Sequence, residues 1–362
     1  MQMLTLVNVL IGAGYKVTVC CYYEYNESMV SRFKKTGAEV LLLKNERAMG
    51  LWHLAKGLMK LFKTIKPDIV HVQYIAPGLA TVLAARFAGI KTVYATVHQP
   101  GRVYGLKEKL FLRTAALLCT AFFCVSRSVE ASWFGDSELF DPQRFSKGRR
   151  HFTVYNGVDI EKIATAVNST DKDALINELD LTGHKIIGFV GRLRTEKGLN
   201  FLIDALPHIL KSHPDAMLLV VGDGPDGQML RKKVEDLKLS SHVRWLGQKT
   251  PEEVYQLYSI MDVVAVPSFF EGFGLVAAEA QAAELPVVAT RVDGLTEVIE
   301  NDVTGILVPA GDSSTLASAL TDLLSDMEKA REMGQKGRER VREIFSMERF
   351  GQTILSAYRE LA

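Results

Sequence analysis

The chain has few cysteines, no long apolar run and no block of like charge, and each absence removes a class of protein. Its four cysteines, Cys20, Cys21, Cys119 and Cys124, form neither a Cys-x-x-Cys pair nor a metal-ligand spacing with histidine. They sit in apolar, strand-like surroundings and read as free buried thiols. No stretch reaches the ~18 consecutive apolar residues that cross a bilayer. Met1 to Ile11 is apolar but has neither a basic leader nor a small-residue cleavage site, so no signal peptide is expected and the expected location is the cytoplasm. Lysine and arginine runs interleaved with aromatics, which stack single-stranded bases, are missing, and this argues against a nucleic-acid partner. No Asp, Glu or His cluster shows metal-ligand spacing, so no metal and no cofactor is expected.

What is present describes a two-domain globular protein. Hydrophobic residues make up 48% and charged residues 23% of 362 positions, a length that suits two cores rather than one. The net charge of +1 hides an asymmetry. Residues 1–165 hold 22 Lys and Arg against 12 Asp and Glu, a net of +10, and residues 166–362 hold 21 against 30, a net of −9. A basic half attracts an anionic ligand or surface, and a lipid phosphate or an anionic leaflet fits that charge.

Short apolar, β-branched runs alternate with helix-length periodic stretches, the pattern of parallel sheets flanked by helices. Val17–Tyr23, Val40–Leu43, Ile69–Gln73, Thr92–Val97 and Ala121–Val125 read as strands of a first domain. Lys185–Val190, Met217–Val221, Val243–Leu246, Val263–Val266, Val287–Ala289 and Gly305–Val308 read as strands of a second. The polar stretch near 159–184 suits a linker plus a helix. The expected division is 1–160 and 161–344, with a last helix, 345–362, packing back on the first domain. Leu51–Ile65 places leucines on one helical face and Lys56, Lys60 and Lys63 on another, and Gly105–Leu118 repeats the pattern with Lys107, Lys109 and Arg113. Such a stripe suits anionic lipid. It equally suits the solvated face of a crossover helix, the favoured reading because every such helix is amphipathic.

The chemistry concentrates in two places. After the strand Val263–Val266 comes Pro267-Ser-Phe-Phe-Glu271-Gly272-Phe273-Gly274, then a helix from about Leu275. Strand, glycine loop and helix start make an anion site, because the first turn presents unpaired N–H groups at the positive end of the helix dipole. Glu271, in the loop, can accept hydrogen bonds from sugar hydroxyls. Glu279 lies roughly 7–8 Å along the helix, the distance from a phosphate to a ribose. Arg192 and Lys197, in Gly191-Arg-Leu-Arg-Thr-Glu-Lys-Gly198 after the strand Lys185–Val190, supply cations for a diphosphate. The bland alternatives are a solvated loop carboxylate, an exposed helix carboxylate, and an Arg194–Glu196 pair in water. His71, at a strand end, reads as structural.

These pieces give the chain its resemblance. Val190-Gly-Arg-Leu-Arg-Thr-Glu-Lys-Gly198, Val220-Val-Gly-Asp-Gly224, Val243-Arg-Trp-Leu-Gly247, Pro267–Leu275 through Glu279, Leu285-Pro-Val-Val-Ala289 and Gly305-Ile-Leu-Val-Pro309, with Pro67-Asp-Ile-Val-His71, Thr96-Val-His98 and Tyr155-Asn-Gly-Val-Asp159, resemble a family-4 retaining glycosyltransferase of the GT-B fold. That resemblance implies an α/β fold of two Rossmann-like domains facing across a cleft, and sugar transfer from a nucleotide-sugar donor to a glycan or lipid-linked acceptor. The basic charge of the first domain, which suits a lipid phosphate near a membrane, makes surface polysaccharide biosynthesis on a lipid carrier the expected process, with peripheral contact at an anionic membrane. The resemblance further implies that Arg192 and Lys197 bind the donor diphosphate, that Glu271 contacts the sugar and Glu279 the ribose, and that Gly272, Phe273, Gly274 and Leu275 meet phosphates through the backbone. Gly247 and Gln248 would lie near the base, and His98 would face the transferred sugar.

Two features depart from the family pattern. Relatives place a strand and a glycine-rich loop before a helix like Met1–Leu10, so the first domain is expected to lack its opening strand and the chain as written to be poorly active. Glu284 stands where relatives carry glycine, at a cost of about 1 kcal/mol if its backbone is left-handed. The alternatives carried forward are a GT-B epimerase or hydrolase that needs no acceptor, and a donor-binding protein without activity.

Overall fold

The computed structural model describes residues 2–73, 78–146 and 148–361. The chain separates into two compact units, Met1–Gly157 with Met347–Ala362, and Val158–Ser346. In the first unit, β1 (Thr18–Cys21) pairs in parallel with β2 (Glu39–Leu42), and β3 (Ile69–Gln73), β4 (Thr92–Val97), β5 (Ala121–Cys124) and β6 (His151–Thr153) form a separate four-stranded parallel sheet in that order. In the second unit, β7 (Lys185–Val190), β8 (Ala216–Val221), β9 (Val243–Gly247), β10 (Val263–Val266), β11 (Val287–Thr290) and β12 (Ile306–Val308) make one six-stranded parallel sheet ordered β12-β11-β10-β7-β8-β9.

The runs that read as strands become strands because sheets covered on both faces select unbroken apolar sequence. Every residue of β8, β10 and β11 is buried. In the second unit the core joins Ile187, Leu218, Val220, Val263 and Ala265 of the sheet to Leu202, Leu206, Leu320 and Leu324 of helices. The strand that the pattern missed is β6. It is three residues long, follows a basic stretch, and is held by pairing with Phe122–Cys124, so it carries no periodicity to read. The polar 159–184 stretch holds two helices, Ile160–Ser169 and Lys172–Glu178. Asp159 and Asp171 cap them by accepting from the backbone N–H groups of Lys162 and Ala174.

The helix Met347–Glu360 belongs to the first unit. Its Tyr358 hydroxyl lies 2.6 Å from His71 Nδ1, and its ring packs 4.9 Å from that of Tyr94. Glu284 takes the left-handed conformation, with φ of 62°, and its carboxylate pairs with Arg338. The four cysteines are free thiols. Cys119 and Cys124 are buried, whereas Cys20 and Cys21 on β1 are only half-buried, because β1 belongs to a two-stranded sheet.

Candidate functional site

In the second unit the chain begins its sheet at β7, builds outward through β8 and β9, and then returns to the other side of β7 with β10. The order reverses between β7 and β10, and a parallel sheet opens a crevice beyond the carboxyl ends of its strands at such a point. The two candidate loops leave these two strands. A short turn, Thr195–Lys197, ends at Gly198, which starts the helix Leu199–Ser212. Gly198 has φ of 71°, and a Cβ there would stand 1.9 Å from the carbonyl oxygen of Pro267. Only glycine lets the turn come this close to the β10 loop. The backbone N–H of Phe269 then donates to the carbonyl of Glu196 at 2.9 Å, locking the two loops together.

That lock brings Lys197 to Glu271. The ammonium of Lys197 pairs with Glu271 Oε1, and the buried Ser268 hydroxyl donates to the same oxygen at 3.3 Å. The N–H of Glu271 donates to Asp293 Oδ2 at 3.3 Å, and its carbonyl accepts from Gly294 N–H at 3.2 Å. Glu271 is thus fixed from both sides of the backbone and is no free loop carboxylate. Arg192 is exposed and, among the described residues, its guanidinium has no hydrogen-bond or ion-pair partner. The turn that presents it is held by Leu193, whose N–H donates to the Asp223 carbonyl at 3.0 Å and whose carbonyl accepts from Asp226 N–H at 3.0 Å. Arg194 and Glu196 pair with each other at 3.0 Å.

Gly272, Phe273 and Gly274 are buried. The ring of Phe273 packs edge-on against Phe345 at 5.2 Å, so only its backbone faces the loop's chemistry. Gly274, with φ of 99°, precedes the helix Leu275–Ala282, and no side chain caps that helix. Its first-turn N–H groups therefore point toward the crevice without a side-chain acceptor. Glu279 lies half-buried one turn further on. Burial pushes its carboxyl up to about 7. The Tyr258 hydroxyl, buried with no hydrogen-bond partner among the described residues, is pushed up by burial and by the Glu279 charge.

The structure gathers Arg192, Lys197, Glu271, Gly272–Leu275 and Glu279 at the β7/β10 crevice. Gly247 and Gln248 leave β9, which stands two strands beyond β7, roughly 10 Å away at the usual strand spacing. His98 belongs to the first unit, where it follows β4. Its Nε2 lies 2.9 Å from Gln73 Oε1, and the Gln73 amide reaches His71 Nε2 at 3.1 Å. His71 is further held by Thr96 at 2.7 Å and by Tyr358. Burial lowers His98 to about 4 and His71 to about 3, so both rings are neutral at pH 7 and work as hydrogen-bonding groups.

Sequence reasoning missed Asp293, Gly294 and Ser268, which orient Glu271, and Gln73, which orients His98. The only available signal was adjacency to a marked motif. It also missed Glu130, Asp136 and His151, whose ligand atoms converge in the first unit. Arg149 sits among them, 2.8 Å from Glu130 and 2.7 Å from Asp136, and a guanidinium there supplies the positive charge that these groups attract.

Comparison with known proteins shows the family and the fold. The model of glycosyl transferases group 1 matches residues 171–340, and that of glycosyltransferase family 4 matches residues 1–162, together nearly the whole chain. A D-inositol 3-phosphate glycosyltransferase of Corynebacterium urealyticum is 35% identical over 235 residues, 62% of this chain and 55% of the relative. Its counterpart in Corynebacterium efficiens is 37% identical over 227 residues, 61% of this chain and 52% of the relative. The chain thus spans about half the length of these relatives. Among solved structures, Anabaena HepE in complex with UDP-glucose superposes with a TM-score of 0.83 at 20% identity, covering 99% of this chain and 95% of that one. A glycosyltransferase from Rickettsia africae gives 0.82 at 20% identity, covering 99% and 94%. The chain belongs to the family-4 glycosyltransferases and has their GT-B fold.

Proposed function

We propose that the chain transfers a sugar, with retention of anomeric configuration, from a nucleoside diphosphate sugar held by the second unit to a glycan or lipid-linked acceptor. The observation that carries this reading is the meeting of Lys197 with Glu271 beside Arg192, unpartnered among the described residues, and the helix Leu275–Ala282, which no side chain among them caps. Two cations and a helix N-terminus suit a diphosphate, and a fixed carboxylate beside them suits sugar hydroxyls. Glu279 holds the ribose, and Gly247 with Gln248 lies toward the base. His98, neutral and tethered to Gln73, serves the transferred sugar.

Retention follows from attack on the face that the diphosphate leaves, with a leaving phosphate oxygen taking the acceptor's proton. Arg192, Lys197 and the helix N-terminus stabilise the charge that develops on the diphosphate, a task done by preorganised electrostatics rather than by a covalent nucleophile. In this reading no metal takes part. UDP-glucose in Anabaena HepE makes UDP-sugars the first donors to try. The net charge of +10 over residues 1–165 and the inositol phosphate in the relatives' names favour an acceptor that carries phosphate. A lipid-linked glycan of surface polysaccharide biosynthesis, used at the inner face of a membrane, answers to that description.

A panel of UDP-, GDP- and ADP-sugars tested by thermal shift provides the check, since a bound donor stabilises by mass action. One nucleotide class should raise the melting temperature, and Arg192→Ala or Lys197→Ala should abolish the shift. A shift that survives both substitutions would overturn the diphosphate assignment. Donor turnover without acceptor would point instead to a hydrolase or epimerase.

A further inference from the structure

In Tyr155-Asn-Gly-Val-Asp159 the last residue caps a helix, but Asn156 does none of the things for which asparagine is usually kept. Its backbone is not left-handed, so conformation does not call for it. The cap of the helix that follows is Asp159. Asn156 is only 6% exposed, and its carboxamide has no hydrogen-bond partner among the described residues. An amide offers two donors and an acceptor oxygen, and buried polar groups of this kind are nearly always paired. One held unpaired in a cavity wall points to a partner outside the chain.

The cavity lies within the first unit, and Gln2, Gln73, Thr96 and His98 line it with Asn156. Gln73 ends β3, Thr96 and His98 stand at the end of β4, and Asn156 follows β6. These strands are parallel, so the polar groups meet at the carboxyl edge of the four-stranded sheet, where such sheets bind ligands. Asn156 is also held in place. Gln2 Nε2 donates to the neighbouring Gly157 carbonyl at 3.1 Å, while Gln2 Oε1 is buried with no partner among the described residues. On the other side, a Cβ at Gly157 would stand 2.8 Å from the Phe350 Cβ of the last helix. Only glycine allows that approach, which fixes the backbone beside Asn156.

The lining decides the chemistry of the partner. None of the described residues around the cavity is an acid, a lysine or an arginine, and burial keeps His98 and His71 neutral at pH 7. A phosphate, a carboxylate or a metal ion would find no counter-charge among them. Amide, imidazole and hydroxyl groups each donate and accept, as a sugar hydroxyl does. Leu6 and Phe123 add an apolar wall for the C–H face of a ring. We propose that Asn156 is a binding residue of the first unit, whose carboxamide exchanges hydrogen bonds with a hydroxyl of an uncharged sugar or cyclitol ring. An acceptor that carries phosphate therefore places that phosphate outside this cavity. Whether the ring belongs to the transferred sugar or to the acceptor rests on the proposed glycosyl transfer, whereas the binding of a neutral polyol does not.

Saturation-transfer NMR on the full chain, with UDP-glucose and separately with free myo-inositol, provides the test. Saturation should reach the ring protons of glucose or of inositol, and the one that receives it tells transferred sugar from acceptor. Asn156→Ala should lower that ring saturation about three- to tenfold, the scale of one or two lost neutral hydrogen bonds, and leave the uridine signal unchanged. Asn156→Leu, which keeps the branched shape without the polar atoms, should do the same. Because the amide has no partner among the described residues, neither substitution should lower the melting temperature, a result that a structural asparagine would not give. The inference is overturned if neither ring is saturated in the unsubstituted chain, or if ring saturation survives both substitutions. It is equally overturned if the loss appears only with a lowered melting temperature in both variants. Saturation of inositol without any of uridine would sink the UDP-sugar reading and leave the cavity assignment standing.

Discussion

The two units are built from the same parts and finished differently. The second unit closes six strands into one sheet, buries the strands β8, β10 and β11 completely, and brings its two marked loops together at the point where strand order reverses. The first unit divides its strands into sheets of two and four and leaves whole leucine side chains in solvent on one layer. Under the proposed sugar transfer, the difference matches what each unit would recognise. A nucleotide diphosphate asks for a few donors held at fixed positions, which loops locked by backbone bonds provide. An acceptor presented at a surface asks for area and charge, which helix faces provide.

Substitutions in the two units should therefore fail in different ways. The largest effect is expected from Lys197→Ala, which removes a cation from the diphosphate site and frees Glu271. Donor affinity should fall by about 2–3 kcal/mol, roughly 30- to 160-fold, by calorimetry, the scale of a charge-assisted contact. Gly198→Ala should destabilise the second unit by ~1–3 kcal/mol in urea unfolding, because alanine strains the left-handed conformation and its Cβ meets the Pro267 carbonyl. Donor binding should weaken with it. In the first unit, Tyr358→Phe should cost ~1–2 kcal/mol by leaving His71 Nδ1 without its partner, with donor binding unchanged. A loss of donor affinity in that variant would break the division between the units.

A smaller and pH-dependent effect belongs to Glu279. Its folded value, about 7, lies above the ordinary 4.5, so the folded state holds its proton more tightly than the unfolded state does. This contributes stability that is fully present below pH 4.5 and is lost as pH rises through 7, ~1–2 kcal/mol after allowing for its part exposure. Glu279→Gln should flatten that part of the stability profile. The smallest effect is expected at Glu284→Gly. Relief of the left-handed strain, about 1 kcal/mol, is partly offset by loss of the ion pair to Arg338, so the melting temperature should rise only slightly.

The fold was legible in the sequence because parallel strands covered on both faces need unbroken apolar runs, and nearly every such run became a strand. β6 was not legible, since three residues have no period and its neighbour supplies the pairing. The same limit applies at the site. Arg192, Lys197 and the Glu271–Leu275 loop stood out because glycine beside charge after a strand has few other uses. Asp293, Ser268 and Gln73 did not, because a residue that orients another announces itself only through contact.

Whether the β7/β10 crevice holds a donor diphosphate can be seen in a crystal structure of the chain with a UDP-sugar. The diphosphate should lie at the N-terminus of the helix Leu275–Ala282, within hydrogen-bonding distance of Arg192 and Lys197, with the ribose hydroxyls on Glu279. A nucleotide bound elsewhere, or a diphosphate touching neither cation, would contradict this placement.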